Sequence, residues 1–434
     1  MKDSRGYETT GANAASLEFL ERGIAELRCY VGDPVASARA AIAASPGCVM
    51  AHALHAWLHL LGTEPQGAAV AREDLARARG LPANERERAH LHAIGLLADG
   101  RWHAAARALE DVSIAWPRDP VALQVGHQLD FFIGDARMLR DRIARALPHW
   151  SSSMPGWHAL LGMHAFGLEE TGDYAAAEAQ GRRAVEIERR DAWAQHAVAH
   201  VLEMQGRRRE GIAWMRDNEE GWAPDNFFAV HNWWHLAIFH LGLDETGEAL
   251  ALYDARIGGP GSTVAIDMVD ASSMLWRLQL AGVDVGERWQ ALADRWAPLA
   301  SGGNYAFNDM HAVMAFVGAG RRAEIAEVLA AQERAMTADD DNAMFTRDVG
   351  APATRAILAI AQGDPAQAVE LLRPIRNRAH RFGGSHAQRD LIDLSLIAAA
   401  SRAGQERLAQ ALCAERLAAR PEPHVAWLAA IAAG

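Results

Sequence analysis

The sequence predicts an all-α fold, an α-α superhelix of about eleven helix–turn–helix repeats. Helix-breaking positions, mostly a glycine followed by a polar residue, recur along the whole chain at intervals of 33 to 43 residues. An apolar stretch with helical periodicity precedes each of them, and a second stretch rich in Ala and Leu follows. No segment rich in β-forming residues interrupts the pattern. Because a single helical hairpin leaves an apolar face uncovered, successive hairpins must stack to bury it.

The break points set the period of the repeat. They fall at Gly32, Gly67, Gly100, Gly134, Gly172, Gly206, Gly247, Gly282, Gly320, Gly363 and Gly404. Gly62 is an alternative to Gly67, and Asp244 is an alternative to Gly247. The shorter intervals centre on about 34 residues, which is the period of tetratricopeptide repeats. The segment GDYAAAEAQGRRAVEIERRDAW, residues 172–193, fits that repeat best, because it combines a Gly-Asp-Tyr turn with a small residue where two helices pack closely.

The uninterrupted repetition predicts one continuous array over residues 1–434 rather than separate domains. The polar segment 1–15 precedes the first apolar stretch, and we expect it to be a disordered tail. The last stretch, residues 420–434, contains one more short apolar helix, which is predicted to cap the end of the array.

The composition removes several classes of chemistry. The chain has 434 residues, with 43 basic and 55 acidic side chains and a formal net charge of −12, and Lys2 is its single lysine. A pyridoxal phosphate (PLP) enzyme with a Schiff-base lysine and a P-loop nucleotide site are therefore excluded, since both need a lysine at the site. The acidic balance argues against a nucleic-acid partner, which would require a clustered basic face.

The cysteines and the hydropathy indicate a cytoplasmic protein. Three cysteines lie far apart without a Cys-x-x-Cys pair, which is typical of a reducing compartment. The N-terminal segment lacks the apolar core of a signal peptide, and no apolar run approaches the ~18 residues of a membrane helix. We therefore expect no membrane partner. The oligomeric state does not follow from the sequence.

Histidine is abundant and unevenly placed. Of the 19 histidines, 15 fall in the stretches that precede the break points, where the first helix of each repeat is expected. These are His52, His55, His59, His90, His92, His127, His158, His164, His196, His200, His231, His235, His240, His311 and His386. In tetratricopeptide arrays the first helices line the inner surface, so the bias predicts a His- and Trp-rich interior able to hold a small-molecule ligand. The structural alternative is that these rings pack between repeats and bond to backbone carbonyls.

A doubled His-x-x-x-His pattern is the sharpest local feature. His196 and His200 are followed in the next repeat by His231 and His235, and a spacing of four residues places both imidazoles of a pair on one helix face. Packed helices lie about 8–10 Å apart, so the two pairs can converge on one ion. Imidazole suits Zn, Fe, Co, Ni or Cu, so the pattern predicts a transition metal ion whose identity it leaves open. Histidines stacked without an ion are the alternative.

Other residues complete the predicted site. Asp270 and His311 are candidate acid/base residues. Trp233 and Trp234 are candidate aromatic walls, while Asn308 and Arg389 are candidate ligand-binding residues. Ser385 and Gln388 match a capping box, which favours a structural role over a nucleophilic one for that serine.

Several of these stretches resemble one known family. The segments HNWWHLAIFHLGLDETGEALALY (231–253), VDASSMLWRLQLAGVDVGERW (269–289), FNDMHAVMAF (307–316) and GGSHAQRD (383–390) are similar to the tetratricopeptide repeat protein 38-like family. AWAQHAVAHVLEMQG at 192–206 belongs to the same resemblance, which covers most of the chain. The resemblance implies a helical-repeat fold and no particular reaction. The resembling stretches coincide with the His-bearing first helices, which indicates one pocket formed by the middle and C-terminal repeats.

Two functions of different classes follow. The first is an enzyme, in which the metal assists oxidation or hydrolysis of a small planar or anionic molecule. The second is a non-catalytic tetratricopeptide scaffold for protein–protein interaction. Peptide-binding grooves of that kind tend to use Lys, Arg and Asn, and the near absence of lysine favours a small enclosed ligand.

Overall fold

The computed structural model describes residues 1–421 and residue 429. In this part of the chain the regular structure is helical, and there is no β-strand. The helices form two compact units: unit 1 comprises residues 1–198 and 219–229, and unit 2 comprises residues 199–218 and the chain from 230 onward. The repeat pattern does not reveal this division, because it runs through the boundary without interruption.

Unit 1 consists of consecutive helical hairpins. Its helices are α1 (Ala14–Cys29), α2 (Pro34–Ala44), α3 (Val49–Leu61), α4 (Pro65–Arg79), α5 (Glu85–Ala98), α6 (Trp102–Ala115), α7 (Pro120–Phe132), α8 (Ala136–Ala146), α9 (Trp157–Glu170), α10 (Tyr174–Ile187), the first part of α11 (Ala192–Met204) and α13 (Glu219–Trp222).

Unit 2 continues with the same architecture. Its helices are the second part of α11, α12 (Arg208–Asp217), α14 (Ala229–Gly242, from Val230), α15 (Thr246–Leu252), α16 (Ala265–Leu280), α17 (Arg288–Trp296), α18 (Ala306–Gly318), α19 (Arg322–Ala335), α20 (Asp341–Phe345), α21 (Ala351–Ala361), α22 (Pro365–Leu372), α23 (His386–Arg402) and α24 (Glu406–Ala419). A π-helical turn extends α15, and another joins α20 to α21 without a break.

The break points end the first helices in a recurrent way. In ten turns of the described chain, a residue with positive φ is followed by one whose N–H donates to the carbonyl five positions earlier. This bond satisfies an otherwise orphaned carbonyl at the helix C-terminus. The ten positive-φ residues are Tyr30, Gly100, Gly134, Gly172, Gly206, Asp244, Gly282, Gly320, Gly363 and Gly404. The predicted all-α fold of tetratricopeptide-like helix–turn–helix repeats is confirmed.

At three break points the left-handed residue that ends the first helix is not a glycine, and after α1 it is Tyr30, with φ of 59°. Asp244 takes this conformation with φ of 64°, whereas Gly247 lies inside α15. After α3 the residue is Thr63, with φ of 56°. Gly67 instead lies within α4, where a Cβ would meet the His59 carbonyl oxygen at 2.1 Å. That glycine is needed for the close approach of two helices and not for the turn.

The N-terminal segment, predicted to be a disordered tail, is folded against unit 1. The Arg5 guanidinium lies 2.8 Å from the Glu21 carboxylate, and the Thr10 N–H donates to Glu87 over 2.7 Å. Polar residues of the segment find partners on α1 and α5, which the hydropathy of the sequence does not reveal. The predicted C-terminal cap, residues 420–434, lies mostly outside the described residues.

The fifteen histidines fall on helices α3, α5, α7, α9, α11, α14, α18 and α23, each of which is the first helix of its hairpin. Their predicted assignment to first helices is therefore confirmed. Within the described part of the chain, none of the helices combines the length and the apolar character needed to cross a membrane.

Candidate metal centre

Two helices of unit 2 supply a buried histidine cluster. The second part of α11 carries His200 and Glu203, and α14 carries His231 and His235. The i,i+4 spacing places His231 and His235 on one face of α14, and their ring centroids are 4.9 Å apart. The His200 and His235 rings approach even more closely, with centroids 4.4 Å apart. Imidazoles from two helices therefore meet at one place, as the doubled pattern predicts.

The three histidines converge through their ring nitrogens. His200, His231 and His235 each offer one nitrogen, and these atoms lie within 4.8 Å of one another. His200 and His235 have no exposed surface, and His231 is 5% exposed. Ligand nitrogens of a tetrahedral zinc site lie about 3.4 Å apart, since each Zn–N bond is about 2.0–2.1 Å. Side-chain rotations that close the remaining gap by about 1 Å would complete the coordination of an ion.

Carboxylates stand behind two of the histidines. Asp270 on α16 accepts a hydrogen bond from His231 Nδ1 over 2.8 Å. Glu203 on α11 lies 3.4 Å from His235 Nδ1. Metal-binding histidines commonly donate their second ring N–H to a carboxylate, which fixes the tautomer and leaves the other nitrogen for the metal. The arrangement at His231 has this form, and the Glu203 carboxylate lies close to the corresponding nitrogen of His235.

Burial determines the protonation of the cluster. It lowers the pKa of His200 well below its usual value, and the adjacent His235 and His231 lower it further. Burial also lowers the pKa of His235, although the hydrogen bond to Glu203 opposes this shift. Both imidazoles are therefore neutral at pH 7, which is the form that binds a metal.

The Glu203 carboxylate stays charged. Burial alone would raise its pKa, but the interaction with His235 and the positive charge of Arg420 hold it well below the usual range. Arg420 Nη1 lies 3.0 Å from Glu203 Oε1, so the last described part of the chain meets the start of unit 2 at this carboxylate.

An aromatic ring packs on the cluster. Trp234 stacks on His231 with centroids 5.3 Å apart, and it meets His235 edge-on at 4.9 Å. Its indole N–H donates to the Ser273 hydroxyl over 2.8 Å. Trp233, the neighbouring residue, points elsewhere and lies beneath the guanidinium groups of Arg216 and Arg256. Consecutive helical residues differ by about 100° in direction, which separates the two tryptophans.

His196 lies one turn before His200 on α11, in the part of that helix that belongs to unit 1. Within unit 1 its ring packs against Phe166, Trp193 and Phe228, with centroids 5.2, 5.0 and 5.2 Å away. Helical spacing places it on the same face of α11 as His200. Its role as a fourth metal ligand stays a prediction.

The structure gives the two predicted acid/base residues different partners. Asp270 interacts with His231, as described above. His311 Nδ1 interacts with the Phe307 carbonyl oxygen of its own helix over 2.8 Å. Because a carbonyl only accepts, Nδ1 carries the proton and Nε2 keeps its lone pair. Burial lowers the pKa of His311 to about 4, so this ring is neutral.

The two predicted ligand-binding residues lie at the starts of α18 and α23. Asn308 is half-buried in the first turn of α18. Arg389 is also half-buried, and its guanidinium donates to the Gly384 carbonyl of the loop before α23. In the same turn the Ser385 hydroxyl accepts from the Gln388 N–H, and the Gln388 side chain accepts from the Ser385 N–H. The predicted capping box is confirmed.

Sequence reasoning missed Glu203 and the arginines around it. Glu203 follows His196 and His200 at the i+7 and i+3 positions of α11, so helical spacing alone could have placed it on their face. Arg277, Arg416 and Arg420 carry no local pattern that would mark them, because they come together only through the tertiary fold.

No family model matches the chain. Among solved structures, the chain is similar to the P58(IPK) TPR domain, at 14% sequence identity and a TM-score of 0.20, over 91% of this chain and 99% of that one. The assignment to helical-repeat proteins rests on the hairpins described above. Membership of the tetratricopeptide repeat protein 38-like family stays a prediction.

Proposed function

We propose that unit 2 binds a transition metal ion through His200, His231 and His235, and that the protein is a metal-assisted enzyme acting on a small molecule. The observation that carries the proposal is the convergence of three buried ring nitrogens within 4.8 Å of one another. The carboxylates of Asp270 and Glu203 beside two of the rings support it, because metal-binding histidines commonly donate their second ring N–H to a carboxylate.

Three protein ligands favour catalysis over a purely structural site. Structural zinc sites use four protein ligands, whereas catalytic sites keep one position open for water or substrate. A metal with an open position supports hydrolysis or oxidation of a small planar or anionic substrate. In this proposal Asp270 orients His231, and Trp234 forms an aromatic wall. Zn, Fe, Co, Ni and Cu all suit an imidazole ligand set.

Metal analysis of protein purified without a histidine tag tests the proposal. We expect about one equivalent of a transition metal, and we expect Co²⁺ added to metal-free protein to give d–d absorption bands with the same stoichiometry. His200→Asn and His235→Asn should lose both. His92→Asn is the matched control, because His92 is an exposed histidine on α5. Less than about 0.1 equivalent in the wild-type protein, with no spectral change on Co²⁺ addition, would overturn the metal site.

The scaffold alternative makes the opposite prediction. A tetratricopeptide scaffold would capture a stoichiometric protein partner and would be indifferent to metal removal. Partner capture that is unchanged in His200→Asn, together with an absence of metal, would favour the scaffold.

A further inference from the structure

One arginine of unit 1 is buried without an ion-pair partner. Arg28, in the last turn of α1, is 7% exposed. Its Nε is fully buried and has no hydrogen-bond partner in the described chain, and no carboxylate of that part of the chain lies within ion-pairing distance of the guanidinium. Buried arginines are normally paired, because an uncompensated buried charge is costly. This guanidinium is therefore available to an anion from outside the chain.

The carboxylate that most favours the charge of Arg28 is already paired. It belongs to Glu21, and Arg5 holds both of its oxygens with Nη1 and Nη2, each over 2.8 Å. Burial is the strongest influence on Arg28, and the repulsion from Arg5 exceeds the attraction to Glu21. Together they lower the pKa of Arg28 to about 10, so the side chain is still charged at pH 7. The C-terminal end of α1 favours this cation but gives it no hydrogen bond.

The guanidinium of Arg28 lies against the start of α9. Gly156 is the N-cap of that helix, and a Cβ at this position would lie 2.6 Å from Arg28 Nη1 and 2.9 Å from Nε. A residue other than glycine would displace the guanidinium from the helix. No side chain caps α9, and its first turn contains no acidic residue. The first N–H groups of the helix therefore add partial positive charge that no side chain of the cap neutralises.

A guanidinium and a helix N-terminus thus come together in unit 1, and neither has an acidic partner. We infer that Arg28 and the first turn of α9 bind the oxyanion group of a small molecule, either a phosphoryl or a carboxylate group. The several oxygens of such a group accept hydrogen bonds from a guanidinium and from helix N–H groups at the same time. The glycine at the N-cap leaves room for the guanidinium beside those N–H groups.

The site is open to solvent on the side of the terminal nitrogens. Nη1 and Nη2 of Arg28 make no hydrogen bond in the described chain, yet only Nε is fully enclosed, so the terminal nitrogens keep the exposed part of the side chain. The loop that leads to Gly156 begins with three exposed serines, at 151–153. An anion can therefore reach the guanidinium from solvent. The site goes beyond the proposed metal centre, because none of the three proposed histidine ligands belongs to unit 1.

Calorimetric titration with inorganic phosphate, and separately with acetate, tests the inference at an ionic strength held constant with sodium chloride. We expect one anion to bind per chain. Arg28→Met should weaken binding by about 10–100-fold, because the charged hydrogen-bond donor is lost. Arg107→Met removes an exposed arginine of α6 and should leave the affinity unchanged. His200→Asn should leave it unchanged too, which separates this site from the metal centre.

The two anions identify the group that the site takes. Binding of phosphate alone would assign a phosphoryl group, binding of acetate alone would assign a carboxylate, and binding of both would show that the site accepts either. All three results support an oxyanion site, provided that Arg28→Met weakens the binding. The absence of binding by both anions would overturn it.

Thermal unfolding distinguishes a ligand-binding arginine from a structural one. In buffer without phosphate or acetate, Arg28→Met should have a Tm no lower than that of the wild type, because methionine removes an unpaired buried charge and retains an apolar side chain. A Tm more than about 4 °C lower would show that Arg28 stabilises the fold by itself and would overturn the inference.

Crystals of the wild-type protein soaked in selenate give a test that does not depend on the folding of a variant. An anomalous peak between Arg28 and the first turn of α9 would support the inference. A selenate map without that peak, or a phosphate affinity that is equal in Arg28→Met and the wild type, would each overturn it.

Discussion

The histidines of unit 1 and those of unit 2 are placed on equivalent helices but have different partners. In unit 1, His90 lies 3.0 Å from Asp119 and His158 lies 2.7 Å from Asp191, each pair joining consecutive hairpins, whereas His52 and His55 share Asp74 within their own hairpin. In unit 2, His200, His231 and His235 approach one another as well as their carboxylates. The number of histidines on first helices is therefore a weaker guide to a site than whether their rings converge.

Two of the unit 1 aspartates, Asp119 and Asp191, have a structural task that Asp270 of unit 2 lacks. Asp119 is the N-cap of α7, where one oxygen accepts the N–H groups of Val121 and Ala122 while the other meets Arg86 and His90. Asp191 likewise accepts the Ala194 N–H at the start of α11. These aspartates tie the start of one hairpin to the preceding one, which stabilises the stack.

Asp270 is different. It lies in the middle of α16 rather than at its start, and one of its oxygens binds His231. The other oxygen, Oδ1, is buried and makes no hydrogen bond within the described residues. An incompletely satisfied buried carboxylate is costly for stability, so its retention favours a role beyond packing.

The largest expected effect is a loss of folding stability, and it results from a substitution in unit 1. Asp119→Asn keeps the size of the side chain but leaves the buried Arg86 without its counter-charge at 2.7 Å. Removing one partner of a buried ion pair costs about 3–5 kcal/mol of unfolding free energy. Denaturant unfolding should show this loss, and the metal content of the folded protein should stay unchanged. A variant as stable as the wild type would contradict the structural role of these pairs.

Asp309 on α18 provides a pH-dependent contrast with Asp119. Burial raises the pKa of Asp309 to about 7, whereas the pKa of Asp119 is held low by His90 and Arg86 against the effect of burial. The pKa of Asp309 is 3.8 in the unfolded chain and about 7 in the folded protein. Between these pH values the folded state binds a proton that the unfolded state has lost, so the free energy of unfolding falls as pH rises through this window. The difference of about 3 units corresponds to about 4 kcal/mol at most.

Asp309→Asn mimics the protonated form and should remove this slope, so that the variant is more stable than the wild type above pH 7. Unfolding free energies measured from pH 5 to pH 8 test this prediction. The wild-type value should fall by about 1.4 kcal/mol for each pH unit between pH 5 and pH 7. Glu327→Gln, at an exposed position of α19, should leave the wild-type slope intact. A wild-type protein that gains stability between pH 5 and pH 7 through Asp309 would reverse the sign and contradict the prediction.

A smaller effect, on metal affinity, is expected when Asp270, the carboxylate hydrogen-bonded to His231, is replaced. Asp270→Asn keeps the shape of the side chain but weakens its hold on the His231 tautomer, and such changes reduce metal affinity by about 10–100-fold. Competition with a chelator of known affinity measures the change. Asp191→Asn is the matched control in unit 1, because Asp191 also binds a histidine ring but lies away from the proposed ligands. Equal losses in both variants would show that the effect is on folding in general.

Sequence reasoning reached the repeat and most of its turns, because a glycine at a left-handed position and a 3.6-residue apolar period are local properties. It did not identify Thr63, which takes the left-handed conformation at a position where its residue type gives no indication. The convergence of His200 with His231 and His235 was also predictable, since equivalent positions in successive repeats lie side by side. The partners Glu203, Arg277 and Arg420 were not, because contacts between residues as far apart as 203 and 420 depend on how the hairpins stack.

The smallest expected effect distinguishes an open metal site from a closed one. His196 is on the same face of α11 as His200, but its ring packs among Phe166, Trp193 and Phe228. If three histidines hold the metal and one position is open, His196→Asn should lower metal affinity less than about tenfold while costing about 1–2 kcal/mol of packing stability. The absorption of the Co²⁺-loaded protein should then keep its intensity and position. A loss of metal as complete as in His200→Asn would mean four histidine ligands, and a filled coordination sphere would argue for a structural site and against the proposed enzyme.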